Sequence, residues 1–250
     1  VEKFGATLLP VDSEHNAIFQ VLNLEQLDKV ERLILTASGG PFLNLSYEEM
    51  RNVTLAQTLA HPNWDMGAKI SVDSATMMNK GLELIEAVHL FPVGNDGVDI
   101  IIHPQSIIHS MVEYRDGSIL AQMGAPDMRT PISYALGWPN RHEFKADRLD
   151  FGKISALTFI EPDVSQFPAL KLAKFALNTG KSAPTILNAA NEIAVGGFLE
   201  GQIGFLDIAN IVEETLNCHE FVEFSDISGI YEEDRKGREI ATNILRKMCA

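Results

Sequence analysis

The feature that most constrains this chain is a change in its hydrophobic period. In the first part, short apolar runs of strand length, Leu33-Ile34-Leu35-Thr36, Val98 to Ile102, Ile107 to Tyr114 and Ser118 to Met123, alternate with turn-forming stretches. Asp116-Gly117 joins the last two as a hairpin-type turn. After a connector with little periodicity the spacing becomes helical, and helices are predicted over Ala169–Asn178, Ala183–Leu199, Phe205–Asn217 and Asp234–Met248. Gly180 falls where a helix C-terminal cap belongs, and Gly201 and Gly204 interrupt the segments that follow. The pattern predicts an α+β fold, with a mixed β-sheet and helices in a first domain over residues 1–138, a connector over 139–163 and a small helical bundle over 164–250.

Charge narrows the function. A formal net charge of −14 speaks against nucleic acid and anionic membranes, both of which select basic surfaces. No apolar run approaches the roughly 20 residues a membrane-spanning helix needs. An anionic small molecule would need a local cationic pocket within this repulsive field. The two cysteines, Cys218 and Cys249, suit a reducing, cytoplasmic setting and leave no thiolate metal site. Val1-Glu2-Lys3-Phe4 shows neither an initiator Met nor a signal peptide, and the expectation is that the sequence begins inside a longer chain.

Polar residues cluster where apolar runs end. Leu8-Leu9-Pro10-Val11 resembles a strand that delivers Asp12-Ser13-Glu14-His15, and an Asp-x-Glu at a strand end lets two carboxylates meet one cation. Such pairs are more often solvated surface. Leu33–Thr36 empties into Ser38-Gly39-Gly40, where backbone N–H groups can approach a ligand. Asp73-Ser74 is predicted to N-cap a helix reaching about Leu90, which would set Ser74 at an anion-favouring helix start, although a plain cap is the commoner use of such a serine. On that helix Asn79 and Lys80 share a face with Glu83, an arrangement open to a surface ion pair or to a metal ligand beside an anion anchor. His15, His61, His103 and His109 lie near these clusters and are read as orienting groups, because a hard metal prefers carboxylate oxygen. Trp64, flanked by Pro62 and Gly67, is either a loop aromatic that folds over a ligand or a core residue. There is no Gly-x-x-x-x-Gly-Lys-Ser/Thr loop and no Gly-x-Gly-x-x-Gly after an early strand.

Taken in order, Leu-Leu-Pro-Val-Asp-Ser-Glu-His-Asn (8–16), Ser-Gly-Gly-Pro-Phe (38–42), His-Pro-Asn-Trp (61–64) and Lys-Ile-Ser-Val-Asp-Ser-Ala-Thr-Met-Met-Asn-Lys-Gly-Leu-Glu (69–83) closely resemble the 1-deoxy-D-xylulose 5-phosphate reductoisomerase family. Ile-His-Pro-Gln-Ser (102–106), Pro-Asp-Met-Arg-Thr-Pro-Ile (126–132) and Leu-Asn-Ala-Ala-Asn-Glu (187–192) extend the resemblance over essentially the whole sequence. It implies that Asp12, Glu14 and Glu83 ligate Mg²⁺ or Mn²⁺, and that Ser38, His61, Ser74, Asn79 and Lys80 hold the phosphate of a sugar-phosphate substrate. It further implies substrate contacts from Ser13, Glu14 and Glu83, and His15 and His109 near the reacting centre. Trp64 would lie in a mobile flap, with Gly67 and Met128 beside the nicotinamide of NADPH. The implied protein is a homodimer that rearranges and reduces its substrate to 2-C-methyl-D-erythritol 4-phosphate, and residues 1–138 become its metal- and substrate-binding domain. The family's nicotinamide-binding N-terminal domain does not match any part of this sequence, so this chain alone is expected not to transfer hydride. Two rival readings are a nucleotide-independent, metal-dependent sugar-phosphate aldolase or isomerase, and a non-catalytic dimerisation module.

Overall fold

The computed structural model describes all residues except Asn63, Asp65, Ala250 and the side chain of Glu2. In chain order the main elements are α1 (Ser13–Val21), β1 (Val30–Ala37), α2 (Tyr47–Met50), α3 (Leu55–Leu59), α4 (Ala68–Thr76), α5 (Met78–Leu90), β2 (Val98–Ile102), β3 (Ile108–Tyr114), β4 (Ile119–Met123) and α6 (Arg129–Gly137). They are followed by α7 (Pro168–Thr179), α8 (Ala183–Leu199), α9 (Asp207–Cys218) and α10 (Ile227–Met248). This is the α+β architecture predicted, with its helical segment at the C-terminal end. The chain forms two compact units, each from two stretches: residues 1–38 with 87–161, and residues 39–86 with 162–250.

The first unit is built on a four-stranded sheet in the order β2-β1-β3-β4. β1 pairs parallel with β2 and antiparallel with β3, which pairs antiparallel with β4, so the sheet is mixed. Leu33 through Ala37 are all buried, the continuous apolar run expected of a central strand. Thr36 satisfies its buried hydroxyl by donating to the carbonyls of Ile108 and His109 at 2.7 and 2.8 Å. Helix α1 packs on the sheet through Ala17 and Ile18, both fully buried. The Tyr114 hydroxyl ties the end of α1 to β3, donating to the Val21 carbonyl at 3.0 Å and accepting from the Asn23 amide at 2.9 Å. On the exposed part of β1, Arg32 bridges Asp99 of β2 and Glu113 of β3 at 2.5 and 2.6 Å, a cross-strand contact of small value in solvent.

In the second unit α8 is the hub, packing against α4, α7, α9 and α10. Its Ala183, Ala189, Ala190 and Ala194 are fully buried, and these small side chains let neighbouring helices come close. α10 begins about two turns earlier than predicted, at Ile227, because Asp226 caps it by accepting from the Gly229 amide at 3.1 Å. Ser228-Gly229 looks like a turn in sequence, and the cap overrides that preference.

Gly81 of α5 marks another close approach. A β-carbon there would sit 2.6 Å from the Ala173 β-carbon of α7, which has no rotamer by which to retreat. In an open helix Gly→Ala gains about 1 kcal/mol. Here the sign reverses: Gly81→Ala is expected to lower stability by about 2 kcal/mol through overpacking. Gly81→Ala with Ala173→Gly should recover most of the loss. Urea denaturation of the three variants measures this, and an unchanged midpoint for Gly81→Ala would show that the two helices separate at little cost.

Candidate metal centre and neighbouring polar groups

Leu8 to Val11 do not form a strand; they run as irregular chain into α1. Asp12 is the N-cap of that helix, its Oδ1 accepting from the amides of Glu14 at 3.0 Å and His15 at 3.4 Å. Capping fixes the aspartate's orientation and places Glu14 in the first turn, where its charge complements the helix dipole. Ser13 donates its hydroxyl to Glu14 Oε2 at 2.5 Å, which orients the second carboxylate. His15 is buried, with Nδ1 3.5 Å from Asp12 Oδ1 and its ring 6.4 Å from that of Phe91. Asn16 holds the approach to the helix by donating to the Pro10 carbonyl at 2.9 Å.

The second set of residues lies on α4 and α5, and here the structure corrects the sequence reading. Asp73-Ser74 does not start a helix. α4 begins at Ala68 with Gly67 as N-cap, so Ser74 lies near its C-terminal end, away from any dipole-favoured anion position. The continuous helix expected to reach Leu90 is broken at Met77, which adopts a left-handed conformation with φ 64°. Its amide bonds to the Ser74 carbonyl at 3.2 Å, closing α4, and α5 restarts at Met78. The left-handed region costs a non-glycine residue roughly 1–2 kcal/mol. Met77 and Met78 are both buried, at 2% and 1% exposure, and this packing holds the break. No glycine or proline announces it. The first turn of α5 therefore carries Asn79 and Lys80, so the helix start lies beside those residues instead of beside Ser74.

Glu83 is 2% exposed and Lys80 5% exposed, which removes the solvated ion-pair reading. Lys80 Nζ pairs with Glu83 Oε2, and Asn79 donates to Glu83 Oε1 at 2.5 Å, so both oxygens of this carboxylate are engaged by its own helix. Asp12, Glu14 and Glu83 each offer a carboxylate oxygen within 4.8 Å of the others. Lys80 supplies a positive charge directly beside Glu83. The set is all hard oxygen donors, part-buried to buried, with each carboxylate held by a capping, hydroxyl, amide or ammonium group. That is what a divalent ion such as Mg²⁺ or Mn²⁺ needs in ligand type and outer support.

The other predicted residues are placed as follows. Ser38 follows β1 and is half-buried; Gly40 (φ 65°), two residues on, lies so close to α4 that a β-carbon there would be 2.8 Å from the Ser74 carbonyl oxygen. His61 is half-buried, accepts from the Trp64 amide through Nδ1 at 3.0 Å, and burial holds its pKa below the ordinary histidine value. Trp64 is half-buried, neither a core residue nor a fully exposed one, and Asn63 and Asp65 of the expected flap lie outside the described residues. His109 is buried on β3. Met128 is the 39% exposed N-cap of α6. Among the described residues His103 Nε2 is buried without a partner, while its Nδ1 lies 2.9 Å from the Thr158 carbonyl and its ring stacks on Phe159.

Asp73, read from the sequence only as part of a helix cap, is 1% exposed. It accepts from Lys69 Nζ at 2.6 Å and from Asn191 Nδ2 of α8 at 2.8 Å. Burial raises its pKa, and the lysine and the asparagine amide oppose that shift.

In this mixed-sheet α+β chain Asp12, Glu14 and Glu83 form a carboxylate group that could hold a divalent metal ion. Residues 8–91 match the family model described as the 1-deoxy-D-xylulose 5-phosphate reductoisomerase C-terminal domain, and residues 123–240 match that of the DXP reductoisomerase C-terminal domain. The chain belongs to the 1-deoxy-D-xylulose 5-phosphate reductoisomerase family. It is 56% identical over 245 residues to the reductoisomerase of Pelodictyon phaeoclathratiforme, covering 98% of this chain and 64% of that protein. Against the Rhodospirillum centenum enzyme it is 57% identical, covering 98% and 61%. The solved Zymomonas mobilis reductoisomerase in complex with NADPH superposes with a TM-score of 0.93 at 53% identity, covering 98% of this chain and 63% of that one. A DOX-P reductoisomerase in complex with NADPH, fosmidomycin and magnesium gives 0.91 at 45% identity, covering 98% and 65%. The chain thus spans under two thirds of the length of the relatives it matches. Among the described residues no helix is long and apolar enough to cross a membrane.

Proposed function

We propose that this chain is the metal- and substrate-binding part of an enzyme that converts 1-deoxy-D-xylulose 5-phosphate to 2-C-methyl-D-erythritol 4-phosphate, with NADPH as hydride donor, for isoprenoid precursor synthesis. The observation that carries this reading is the convergence of Asp12, Glu14 and Glu83 in a chain of this family. Asp12, Glu14 and Glu83 hold Mg²⁺ or Mn²⁺, and magnesium is present in solved relatives. Bound there, a divalent ion supplies Lewis-acid polarisation of the substrate carbonyl.

The chain's own groups bind and orient. Lys80, Asn79, Ser74, Ser38 and His61 anchor the phosphate, which supplies binding energy remote from the reacting carbons. Lys80 and Asn79 bring an ammonium and an amide N–H, the kinds of donor that a phosphate oxygen accepts from. Half-buried His61, its pKa lowered by burial, favours the neutral ring and hydrogen-bonds as an uncharged group. Ser13 contacts the substrate backbone, and His15 and His109 orient groups near the reacting centre. Trp64 closes over the substrate and excludes water, while Gly67 and Met128 face the nicotinamide. The working form is a cytoplasmic homodimer, a reading supported by two unbridged, exposed cysteines and by Ile119 and Leu120, about half exposed on edge strand β4.

Titration calorimetry of this chain with 1-deoxy-D-xylulose 5-phosphate tests the reading. Binding should be about tenfold or more tighter with Mn²⁺ present than with a chelator, the coupling expected of two ligands that share one site. Equal affinity in both conditions contradicts it.

A further inference from the structure

The segment Leu-Asn-Ala-Ala-Asn-Glu (187–192) has no part in the function proposed above, yet it lies on α8, the helix against which α4 packs. Asn191 is fully buried and donates through Nδ2 to Asp73 Oδ1 at 2.8 Å. Its own Oδ1 is buried with no hydrogen-bond partner among the described residues. An unsatisfied buried amide oxygen is a net cost to the fold, so an apolar residue here would serve stability at least as well. The residue is thus poorly suited to stability alone and well suited to holding one atom in place.

What it holds is the residue next to Ser74. Asp73 is clamped from two sides, by Lys69 one turn earlier on α4 and by Asn191 across the helix interface. Its carbonyl accepts from the Thr76 hydroxyl at 3.2 Å, and that same hydroxyl accepts from the Met78 amide at 3.3 Å. One chain of bonds therefore runs from α8 through Asp73 and Thr76 to the first residue of α5, across the strained Met77. On one side of this chain lies Ser74, and on the other lie Asn79 and Lys80. We propose that Asp73 and Asn191 are positioning residues for phosphate binding: the helical C-terminal segment, through Asn191, sets the α4–α5 break that aligns Ser74 with Asn79 and Lys80. The proposal rests on the phosphate-anchoring reading given above.

The probe is inorganic phosphate, titrated into this chain by ³¹P NMR and compared with Mn²⁺ affinity by calorimetry. Asn191→Ser removes the bond to Asp73 together with the unpartnered oxygen. It should weaken phosphate about tenfold, as misplacement of a binding group does, and leave Mn²⁺ affinity within about twofold. The exchange Asp73→Asn with Asn191→Asp keeps one carboxylate and one amide in contact and should restore phosphate binding. If Asn191→Ser does not fold, Asp73→Asn, which keeps shape and loses the lysine pair, takes its place with the same expected split. Unchanged phosphate affinity in the variant, with Lys80→Ala still defective, overturns the positioning role alone. Parallel losses of phosphate and Mn²⁺ also overturn it, since they indicate general loosening. If Lys80→Ala binds phosphate as well as the unmodified chain, the anchoring reading fails and takes this proposal with it.

Discussion

Glu83→Gln is expected to weaken Mn²⁺ binding about a hundredfold while the chain stays folded, because one anionic ligand is lost from a cluster that depends on all three. Glutamine keeps the side-chain shape, and its carbonyl oxygen can still accept from Asn79 or Lys80, the groups that hold Glu83. The fold therefore has little reason to collapse, and a thermal melt run beside the calorimetric titration separates the two effects. Wild-type affinity in the glutamine variant would mean that any ion bound by this chain sits elsewhere.

Lys80→Ala carries the second large effect, and its two readouts should move in different directions. Removing the ammonium leaves Glu83 buried without its counter-ion, a change that typically costs a few kcal/mol of stability. A divalent cation can replace the missing charge, so Mn²⁺ affinity should hold or tighten and added Mn²⁺ should recover part of the lost stability. Inorganic phosphate, deprived of its buried cation, should bind about a hundredfold more weakly, the worth of a desolvated charge-assisted contact. Equal loss of both ligands would instead identify Lys80 as a structural residue of α5.

The sheet and the C-terminal helices α7 to α10 could be read in the sequence because their signals are local, whereas α1 to α4 and α6 were not foreseen. β2 has the predicted bounds, and α8 has both of its ends where the helical period placed them. The misreadings occur where tertiary contacts override local preference. Leu8–Val11 has strand composition but finds no partner strand, and Asp12 instead uses its carboxylate to start α1. Met77 breaks a helical pattern without any breaker residue, because buried packing stabilises a conformation that propensity disfavours. That break moved the helix start from Ser74 to the turn holding Asn79 and Lys80. The carboxylates were nameable from family resemblance, and spacing alone left them indistinguishable from solvated acids. Their burial and their hydrogen-bonded neighbours are properties of the folded chain. The Asp73–Asn191 bond joins residues 118 positions apart, and no sequence period reports a contact of that separation.

Crystals of the chain grown or soaked with Mn²⁺ and measured at the manganese absorption edge provide the most direct test of the metal centre. A single strong anomalous peak bounded by the carboxylates of Asp12, Glu14 and Glu83 is the predicted result. A peak held by other residues, or none at saturating Mn²⁺, would contradict it.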